Sequence, residues 1–291
     1  MAYFAIMKKN VLKTEISNSQ THANMHYENF PIASFILPKR LREPIALIYS
    51  FARQADDFAD EGDLSPQQRL ELLDGFRSEL DLIKAHAQPK TDFFYALNII
   101  IQAQNLPLQS FYDLLNAFSQ DVVKSRYINF GEIIDYSRRS ANPVGRLLLH
   151  LYGAATTKNI SYSDAICSAL QIINFIQDIA IDIKKDRIYM PQDELARFKI
   201  TENDIIYANY DYKFKLFMEF QIERARKLLQ SGAPIGLILT GRIGLEMRLI
   251  IAGGERILAK LHKIEGDIFN NRPILNKLDY LKMLKKALFR K

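Results

Sequence analysis

The sequence feature that most constrains this chain is one apolar stretch, residues 163–184. Wound at 3.6 residues per turn, it is apolar around most of its circumference, which predicts a buried helix. Its polar side chains Gln171, Asn174, Asp178 and Asp182 nevertheless fall in one arc, about 80° wide. Two carboxylates on a buried helix are unfavourable unless they are paired or bind a cation. A buried salt bridge and a metal site both remain open, and the amide oxygen of Asn174 suits Mg²⁺.

A second acidic stretch, residues 44–63, has the same design. Tyr49, Arg53, Asp56 and Asp60 fall within about 60° of one helical face. Asp57 lies further round the helix, so it is the weaker candidate for a ligand. Taken alone, this stretch would be interpreted as a charged helix end near a turn. Two helices that each carry an i, i+4 pair of aspartates favour a joint site.

We expect the two aspartate pairs to face one another across a cavity. Four carboxylates would repel strongly there unless cations lay between them. Mg²⁺ binds a few carboxylates together with water and phosphate oxygens, so a bound diphosphate would complete its coordination. Arg53, Lys124 and Arg126 are the basic residues that could contact this diphosphate. Each of them, taken alone, could equally belong to a solvated face.

Composition narrows the function classes only in part. The chain has 291 residues, and its single cysteine, Cys167, excludes a disulfide framework and a cysteine-based zinc site. A reducing cytoplasm fits this composition. The formal net charge of +6 suits nucleic acid, an anionic membrane or a phosphorylated substrate, and does not choose among them. No uninterrupted apolar run reaches the length of a transmembrane helix, and the N-terminus lacks the charge order of a secretory signal.

The periodicity predicts an all-α fold, a single domain of helices around a central cavity. We expect a loose tail over residues 1–24 and the domain over residues 25–291. No stretch alternates with the period of a strand, so no sheet is predicted. We expect a kink at Pro143 within one helix. The predicted helices are 25–38, 44–60, 67–87, 91–105, 107–126, 131–152, 163–184, two that follow Thr201 and Asp211, and a long one from 233–234 to about 262.

Two motifs resemble the aspartate-rich segments of the squalene/phytoene synthase family: YSFARQADDFAD (49–60) and QIINFIQDIAIDIKKDRIYMP (171–191). The resemblance extends over residues 26–272. It implies an all-α isoprenoid-synthase fold that uses Mg²⁺ and joins or rearranges prenyl diphosphates through carbocations. HYENFPIASFILP, SANPVGRLLLHLYG and GGERILAKLHKIEGDIFNNRP resemble the branch that makes hydroxysqualene from presqualene diphosphate in bacterial hopanoid synthesis.

The resemblance also implies roles for individual residues. It implies that Gln171 faces the cavity that holds the metal. The other implied sets are the Mg²⁺ and diphosphate ligands Asp56, Asp60, Asn174, Asp178 and Asp182, the diphosphate or pocket contacts Arg53, Lys124, Arg126 and Tyr189, and the cavity-lining Phe30, Tyr49 and Tyr136. The chain departs from the family pattern at residues 27–29, at Gln177 and at Gly254, which we interpret as loss of the condensing half-reaction. Arg272 is then the nearest candidate for a late phosphate contact.

The reaction implied by the resemblance is ionisation of presqualene diphosphate and capture of the rearranged cation by water. NADPH is not expected, and no dinucleotide-binding glycine motif follows a strand. The implied partners are presqualene diphosphate and the enzymes that supply it and reduce hydroxysqualene. One alternative is another head-to-head prenyl synthase that makes presqualene diphosphate, squalene or phytoene. A second alternative is an inactive relative that acts as an assembly or scaffold protein. A nucleic acid partner is not expected, because nothing but the net charge suggests one.

The C-terminal residues 278–291 mix leucines with lysines and arginines. Such a basic amphipathic segment can lie in an anionic membrane interface, which would place the protein peripherally on the cytoplasmic membrane. The alternative is that its apolar face packs on the domain. The sequence leaves both interpretations open.

Overall fold

The computed structural model describes residues 36–289 of the chain. Within this range the chain is helical, without a strand, and its only β-type pairing is an isolated bridge between Arg126 and Ile188. The all-α prediction is therefore confirmed. The helices are α1 (Lys39–Asp60), α2 (Pro66–Lys84), α3 (Asp92–Gln104), α4 (Leu108–Val123), α5 (Phe130–Ser140), α6 (Asn142–Leu151), α7 (Thr157–Asp182), α8 (Gln192–Arg197), α9 (Glu202–Ile206), α10 (Tyr212–Gly232), α11 (Ile235–Ile238), α12 (Gly241–Lys263) and α13 (Lys277–Phe289).

The predicted N-terminal tail, residues 1–24, and Phe30 lie outside the described residues. So does the predicted helix 25–38, except for residues 36–38, which are not helical. At the other end of the chain, residues 290 and 291 also lie outside the described part.

Polar caps begin several helices where the sequence predicts them. The Ser65 hydroxyl accepts the backbone N–H of Gln68, and the Gln68 side chain accepts the backbone N–H of Ser65. This reciprocal capping box opens α2. Thr201 and Asp204 form a second capping box at α9, whereas Thr91 and Asp211 cap α3 and α10 in the simpler way, through one side-chain oxygen each.

The first helix starts earlier than the sequence predicts. We expected it after Pro44, but α1 begins at Lys39 and keeps Pro44 inside. Proline removes one hydrogen bond and usually ends a helix. Here Leu41, Ile45 and Ile48 are all buried, so one apolar face continues past the proline. Packing of that face outweighs the lost hydrogen bond.

The predicted kinked helix over 131–152 is wrong, because the chain forms two helices there. α5 ends at Ser140, and α6 begins at Asn142. Pro143 therefore stands in the first turn of α6, where a missing N–H has no effect on the hydrogen-bond ladder. The Asn142 carboxamide accepts the Ser168 hydroxyl at 2.9 Å, which ties this junction to α7.

The predicted long helix from 233–234 to about 262 is also wrong. It is divided into α11 and α12 by an extended backbone at Leu239 and Thr240. Gly241 follows with a φ of +61°. A Cβ on Gly244 would lie 1.9 Å from the Leu239 carbonyl oxygen, so only glycine permits this reversal.

Backbone contacts divide the chain into two compact units. Of the described residues, unit 1 comprises 36–123 together with 143–155, and unit 2 comprises 124–142 together with 156–289. The core of unit 1 centres on Phe51 of α1, whose ring meets Phe94 and Phe111 edge to face. In unit 2, α7 packs most extensively against α10. That the chain forms a single domain stays a prediction.

Helix α7 is the element that the sequence singled out. Together with the turn after it, residues 157–185 are long and apolar enough to cross a membrane by length and composition alone, and half of the most apolar window is buried. The core helix of a folded protein passes the same test. Its packing against α10 and α12 is that of such a core helix.

Candidate active site

The first acidic pair lies on α1 in unit 1. Asp56, Asp57 and Asp60 occupy the last turn of this helix, and that turn carries no basic residue. The C-terminal end of a helix bears partial negative charge, which disfavours carboxylates and favours cations. The acidic end of α1 is therefore unfavourable by itself and becomes favourable when it binds a cation.

Arg53 lies one turn before these acids and contacts two of them. Its Nη1 is 3.2 Å from Asp56 Oδ2, and its Nη2 is 2.6 Å from Asp57 Oδ1. The two aspartates have nearly equal side-chain exposure, 39% for Asp56 and 38% for Asp57. Exposure therefore does not separate them. The contact with Asp56 has hydrogen-bond geometry and the contact with Asp57 is the shorter one, so Arg53 does not separate the two aspartates, and the choice of Asp56 as the ligand stays a prediction.

The second acidic pair lies on α7 in unit 2. Asp178 and Asp182 belong to its last turn, which again has no basic residue within the described helix, while Asn174 is exposed one turn earlier. Both predicted pairs thus stand at C-terminal helix ends. Lys184 and Lys185 follow only in the 3₁₀ turn Ile183–Lys185.

Asp178 has a partner from the late part of the chain. Arg272 Nε donates to Asp178 Oδ1 at 2.6 Å, and both side chains are partly exposed. This hydrogen bond raises the pKa of the Arg272 guanidinium, against the opposing effect of burial. Asp178 thus forms a partly exposed salt bridge, and its role as a metal ligand stays a prediction. The same contact places Arg272 at the acidic end of α7, where the sequence suggested a late phosphate contact.

Gln177 holds the segment that carries Arg272. It is almost fully buried, and its amide donates to the Pro273 carbonyl at 2.7 Å. Its Oε1 is buried without a hydrogen-bond partner among the described residues. Gln177, which departs from the family pattern, therefore fixes the backbone beside Arg272.

The loop before α5 runs beside the segment after α7. The backbone N–H of Ile188 donates to the Ser125 carbonyl at 3.0 Å, and that of Gln192 donates to the Tyr127 carbonyl at 2.9 Å. These bonds bring Lys124 and Arg126 near the chain that follows Asp182. The fold thus gathers several predicted residues of unit 2 at one end of α7.

The guanidinium of Arg126 contacts acidic residues of the protein itself. Its Nε is 2.8 Å from Glu202 Oε1, and its Nη2 is 2.7 Å from Asp186 Oδ1. It also donates to the Asp186 carbonyl. The hydrogen bond that Arg126 donates to Glu202 raises the pKa of the guanidinium above its ordinary value. These contacts favour a role in holding the segment after α7, and contact with a diphosphate stays a prediction for Arg126.

Lys124 has a similar internal partner. Its ammonium lies 2.9 Å from Glu132 Oε2 and 4.8 Å from the centre of the Tyr127 ring. The backbone N–H of Ile128 also donates to the Glu132 carboxylate, at 2.8 Å. Glu132 therefore positions Lys124 at the start of this loop.

The predicted aromatic residues of unit 2 form one buried cluster. Tyr189 stacks on Phe175 with ring centres 3.9 Å apart and an angle of 6° between the rings. Tyr136 lies 5.9 Å from both rings, and Tyr127 stacks on Tyr189 at 5.5 Å. The predictions for Tyr136 and Tyr189 thus come together in space. Sequence reasoning missed Phe175, because only its neighbour across the fold distinguishes it from other apolar positions of α7.

Gly254 has a packing role. A Cβ there would lie 2.9 Å from Leu229 Cδ2 and 3.1 Å from Leu170 Cδ2. The glycine lets α12 approach α7 and α10 closely. The polar side chain that the family pattern often has at this position could not enter without displacing these leucines.

Across residues 36–289, no group of three or more histidine, cysteine, aspartate or glutamate side chains is arranged to hold a metal ion. The predicted ligands occur instead as one pair on each helix. A pair of carboxylates completed by water and phosphate oxygens is the coordination that Mg²⁺ commonly accepts. The roles of Tyr49, Gln171 and the other predicted contacts stay predictions.

Comparison with known proteins extends over most of the chain. A family model described as squalene/phytoene synthase matches residues 23–279. The chain is 36% identical to the hydroxysqualene synthase of Rhodopseudomonas palustris over 250 residues, which are 85% of this chain and 83% of that protein. It is 28% identical to a 15-cis-phytoene synthase of Synechococcus elongatus over 216 residues, 70% of each chain.

A solved structure agrees with these relatives. The crystal structure of squalene synthase HpnC from Alicyclobacillus acidocaldarius matches with a TM-score of 0.81 at 32% sequence identity. The match covers 87% of this chain and 95% of that one.

Proposed function

This chain belongs to the squalene/phytoene synthase family, whose members are enzymes that process prenyl diphosphates, and we propose that it is a hydroxysqualene synthase. It would convert presqualene diphosphate and water to hydroxysqualene and diphosphate, as a carbon–oxygen lyase in squalene and hopanoid biosynthesis. The observation that carries the specific activity is the likeness to a hydroxysqualene synthase over most of both chains.

The donor set of the acidic helix ends suits Mg²⁺. Asp56 and Asp60 would hold it on α1, and Asn174, Asp178 and Asp182 on α7. These are hard oxygen ligands at helix ends that attract cations. When bound, Mg²⁺ supplies positive charge that stabilises the departing diphosphate.

Basic side chains would take up the rest of the negative charge on the diphosphate. Arg53 is placed by its contacts with Asp56 and Asp57, and Arg272 by its contact with Asp178. A guanidinium offers paired N–H donors that match phosphate oxygens, so both residues are suited to this task. We assign diphosphate binding to Arg53 and Arg272 first, because each contacts a proposed metal ligand, whereas the acids that hold Arg126 and Lys124 lie outside the proposed ligand set.

The aromatic cluster would serve the hydrocarbon part of the reaction. Faces and edges of Tyr136, Tyr189 and Phe175 form an apolar wall. Aromatic faces stabilise a carbocation without reacting with it. Water would then capture the rearranged allylic cation and give the alcohol, without a hydride donor. NADPH is therefore not part of the proposed reaction.

Product analysis tests this proposal directly. The purified protein is incubated with presqualene diphosphate, with and without Mg²⁺ and with and without NADPH. We expect hydroxysqualene only when Mg²⁺ is present, and no change of product when NADPH is added. Squalene formed in the presence of NADPH would reject capture by water. Consumption of farnesyl diphosphate supplied alone would favour a condensing synthase, the alternative within the family.

Site variants distinguish an enzyme from a scaffold. Asp56→Ala and Asp178→Ala should abolish turnover while the helix content by circular dichroism stays unchanged, because both side chains are partly exposed. Asp193→Ala is the matched control, since Asp193 is exposed on α8 outside the proposed ligand set. A protein that makes no product, with or without these substitutions, would support the scaffold alternative.

The proposed reaction also defines partners. Its substrate must come from an enzyme that condenses two prenyl diphosphates, and its alcohol must pass to an enzyme that reduces it. We propose that these enzymes are its neighbours in the pathway and that it works in the cytoplasm. Both the substrate and the product are largely hydrocarbon, so they partition into membranes.

A further inference from the structure

The outward face of α13 is unusually apolar. Leu278 is 68% exposed, Leu281 65% and Leu288 57%, and Leu284 is exposed beside them. At 100° per residue these four leucines cover one arc of about 120°. We call this surface the outer face of α13. A contiguous exposed apolar patch of this kind marks an interaction site more often than a chance arrangement.

The exposure is not that of a detached helix. Asp279, on the opposite side of α13, is only 1% exposed and pairs with Arg256 at 2.6 Å and with Lys260 at 2.5 Å. Met283 and Ala287 on the same side are buried. The packing interpretation therefore applies to one side of α13, another side is exposed among the described residues, and contact with a membrane stays a prediction.

Arg248 joins a second exposed element to this face. Its Nε donates to the Ala287 carbonyl and its Nη1 to the Gly236 carbonyl, each at 2.8 Å. These bonds place α11 beside the C-terminal part of α13. Leu237 and Ile238 of α11, which follow the Gly236 carbonyl that Arg248 binds, are exposed as well.

The charges around the outer face of α13 have one sign. Lys282 and Lys286 are exposed on its flank, while Lys277 and Lys285 are exposed within the arc of the leucines. The acidic residue in this part of the described chain, Asp279, is buried and neutralised by its partners. A leucine-rich stripe beside a row of lysines complements an interface of acyl chains and anionic headgroups.

We propose that the outer face of α13, extended by Leu237 and Ile238, docks on an anionic lipid bilayer. The leucines enter the boundary between headgroups and acyl chains, and the lysines contact anionic headgroups. Asp279 and Arg248 fix the helix to the protein, so docking orients unit 2 on the membrane. This inference depends on the exposed side chains and not on the proposed reaction.

Co-sedimentation of the full chain with vesicles tests the proposal. We expect binding to vesicles of phosphatidylglycerol and phosphatidylcholine that weakens with salt, and little binding to phosphatidylcholine alone. Leu281→Gln with Leu288→Gln should lower binding at least about tenfold, because both side chains leave water on docking. Lys282→Gln with Lys286→Gln should lower vesicle binding by about fivefold per lysine at low salt.

Deletion of α13 is unsuitable as a test, because it would leave Arg256 and Lys260 without Asp279.

Matched variants control for composition. Ile206→Gln with Val123→Gln changes two exposed apolar residues outside α11 and α13, and Lys84→Gln with Lys227→Gln removes the same charge elsewhere. We expect both control pairs to bind vesicles like the original chain. Circular dichroism and thermal unfolding confirm that every variant is folded.

Three results would overturn the proposal. The first is that the original chain fails to bind anionic vesicles. The second is equal loss of binding in the control pairs and in the variants of the outer face. The third is that light scattering detects a dimer that the leucine variants dissociate while vesicle binding persists, which would assign this face to a second copy of the chain.

Discussion

Replacing Asp279 with alanine should lower the free energy of unfolding by about 3 kcal/mol. The carboxylate is 1% exposed and receives Arg256 Nε at 2.6 Å and Lys260 Nζ at 2.5 Å. It also accepts the backbone N–H of Asn276 at 2.9 Å, while the Asn276 side chain accepts the N–H of Asp279 at 3.0 Å. The Asp279 side chain thus joins a salt-bridge network and, together with Asn276, forms the N-terminal cap of α13.

The expected loss of unfolding free energy follows from the charged groups that Asp279→Ala leaves without their partner. Removing one member of a buried ion pair costs about 3–5 kcal/mol. The lower end applies here, because Arg256 and Lys260 are partly exposed and regain water. Asp279→Asn keeps an oxygen that can accept the Asn276 N–H, which spares a cap worth about 1 kcal/mol. We therefore expect Asp279→Asn to cost about 2 kcal/mol, since the loss of charge remains.

The assay is urea unfolding followed by circular dichroism, with both variants compared at equal slope. The order Asp279→Ala below Asp279→Asn below the original chain is expected. A loss of less than about 1 kcal/mol for Asp279→Ala would refute the reasoning, since it would show that the pair contributes no more than an exposed one.

The pH dependence gives a second check on Asp279. Burial raises the pKa of this carboxyl, but the hydrogen bonds from Lys260, Asn276 and Arg256 lower it more, so that it lies well below its ordinary value. The stabilisation is therefore fully present above the unfolded-state pKa of about 3.9 and is lost as the pH falls through the lower folded-state pKa. The difference between the original chain and Asp279→Ala should stay constant near neutral pH and shrink only in strong acid.

Two further predictions concern unit 1. Asp57→Asn should reduce turnover less than Asp56→Asn, because Asp57 points about 100° further round α1; equal losses in steady-state assays would contradict the assigned helical phase. Burial and the hydrogen bond to Asp81 raise the pKa of the Tyr112 phenol to about 12, so folding is favoured fully below the unfolded-state pKa of about 10 and less as the pH rises towards 12. Absorbance titration should show the Tyr112 pKa falling in Asp81→Asn, and an unchanged value would refute the contact.

Local signals were sufficient to predict much of the fold. Ser65 and Thr91 begin helices because their side chains cap the nearest N–H groups, an effect confined to four residues of sequence. The break between α11 and α12 was not predictable in this way. It depends on how closely the backbone at Gly244 approaches the Leu239 carbonyl, and glycine tolerates a helix interior as well as a turn.

In the candidate site, too, some features could be predicted from local sequence and others depend on tertiary packing. The acidic pairs could be found because helical spacing alone places Asp56 beside Asp60 and Asp178 beside Asp182. The partner of Asp178 could not be found by spacing, because Arg272 lies 94 residues away along the chain. Burial of Gln177 against the Pro273 carbonyl likewise depends on tertiary packing.

The acidic ends of α1 and α7 imply a trade-off between the thermal stability of the protein and its proposed activity. Each carboxylate opposes the helix dipole by about 0.3–1 kcal/mol, so neutral amides at Asp60 and Asp182 would remove this cost together with two proposed ligands. Directed evolution scored only by melting temperature would then accumulate inactive proteins at these positions. A melting temperature for Asp60→Asn below that of the original chain would argue against this trade-off. Selection for thermostable variants of this protein should therefore measure product formation as well as the melting temperature.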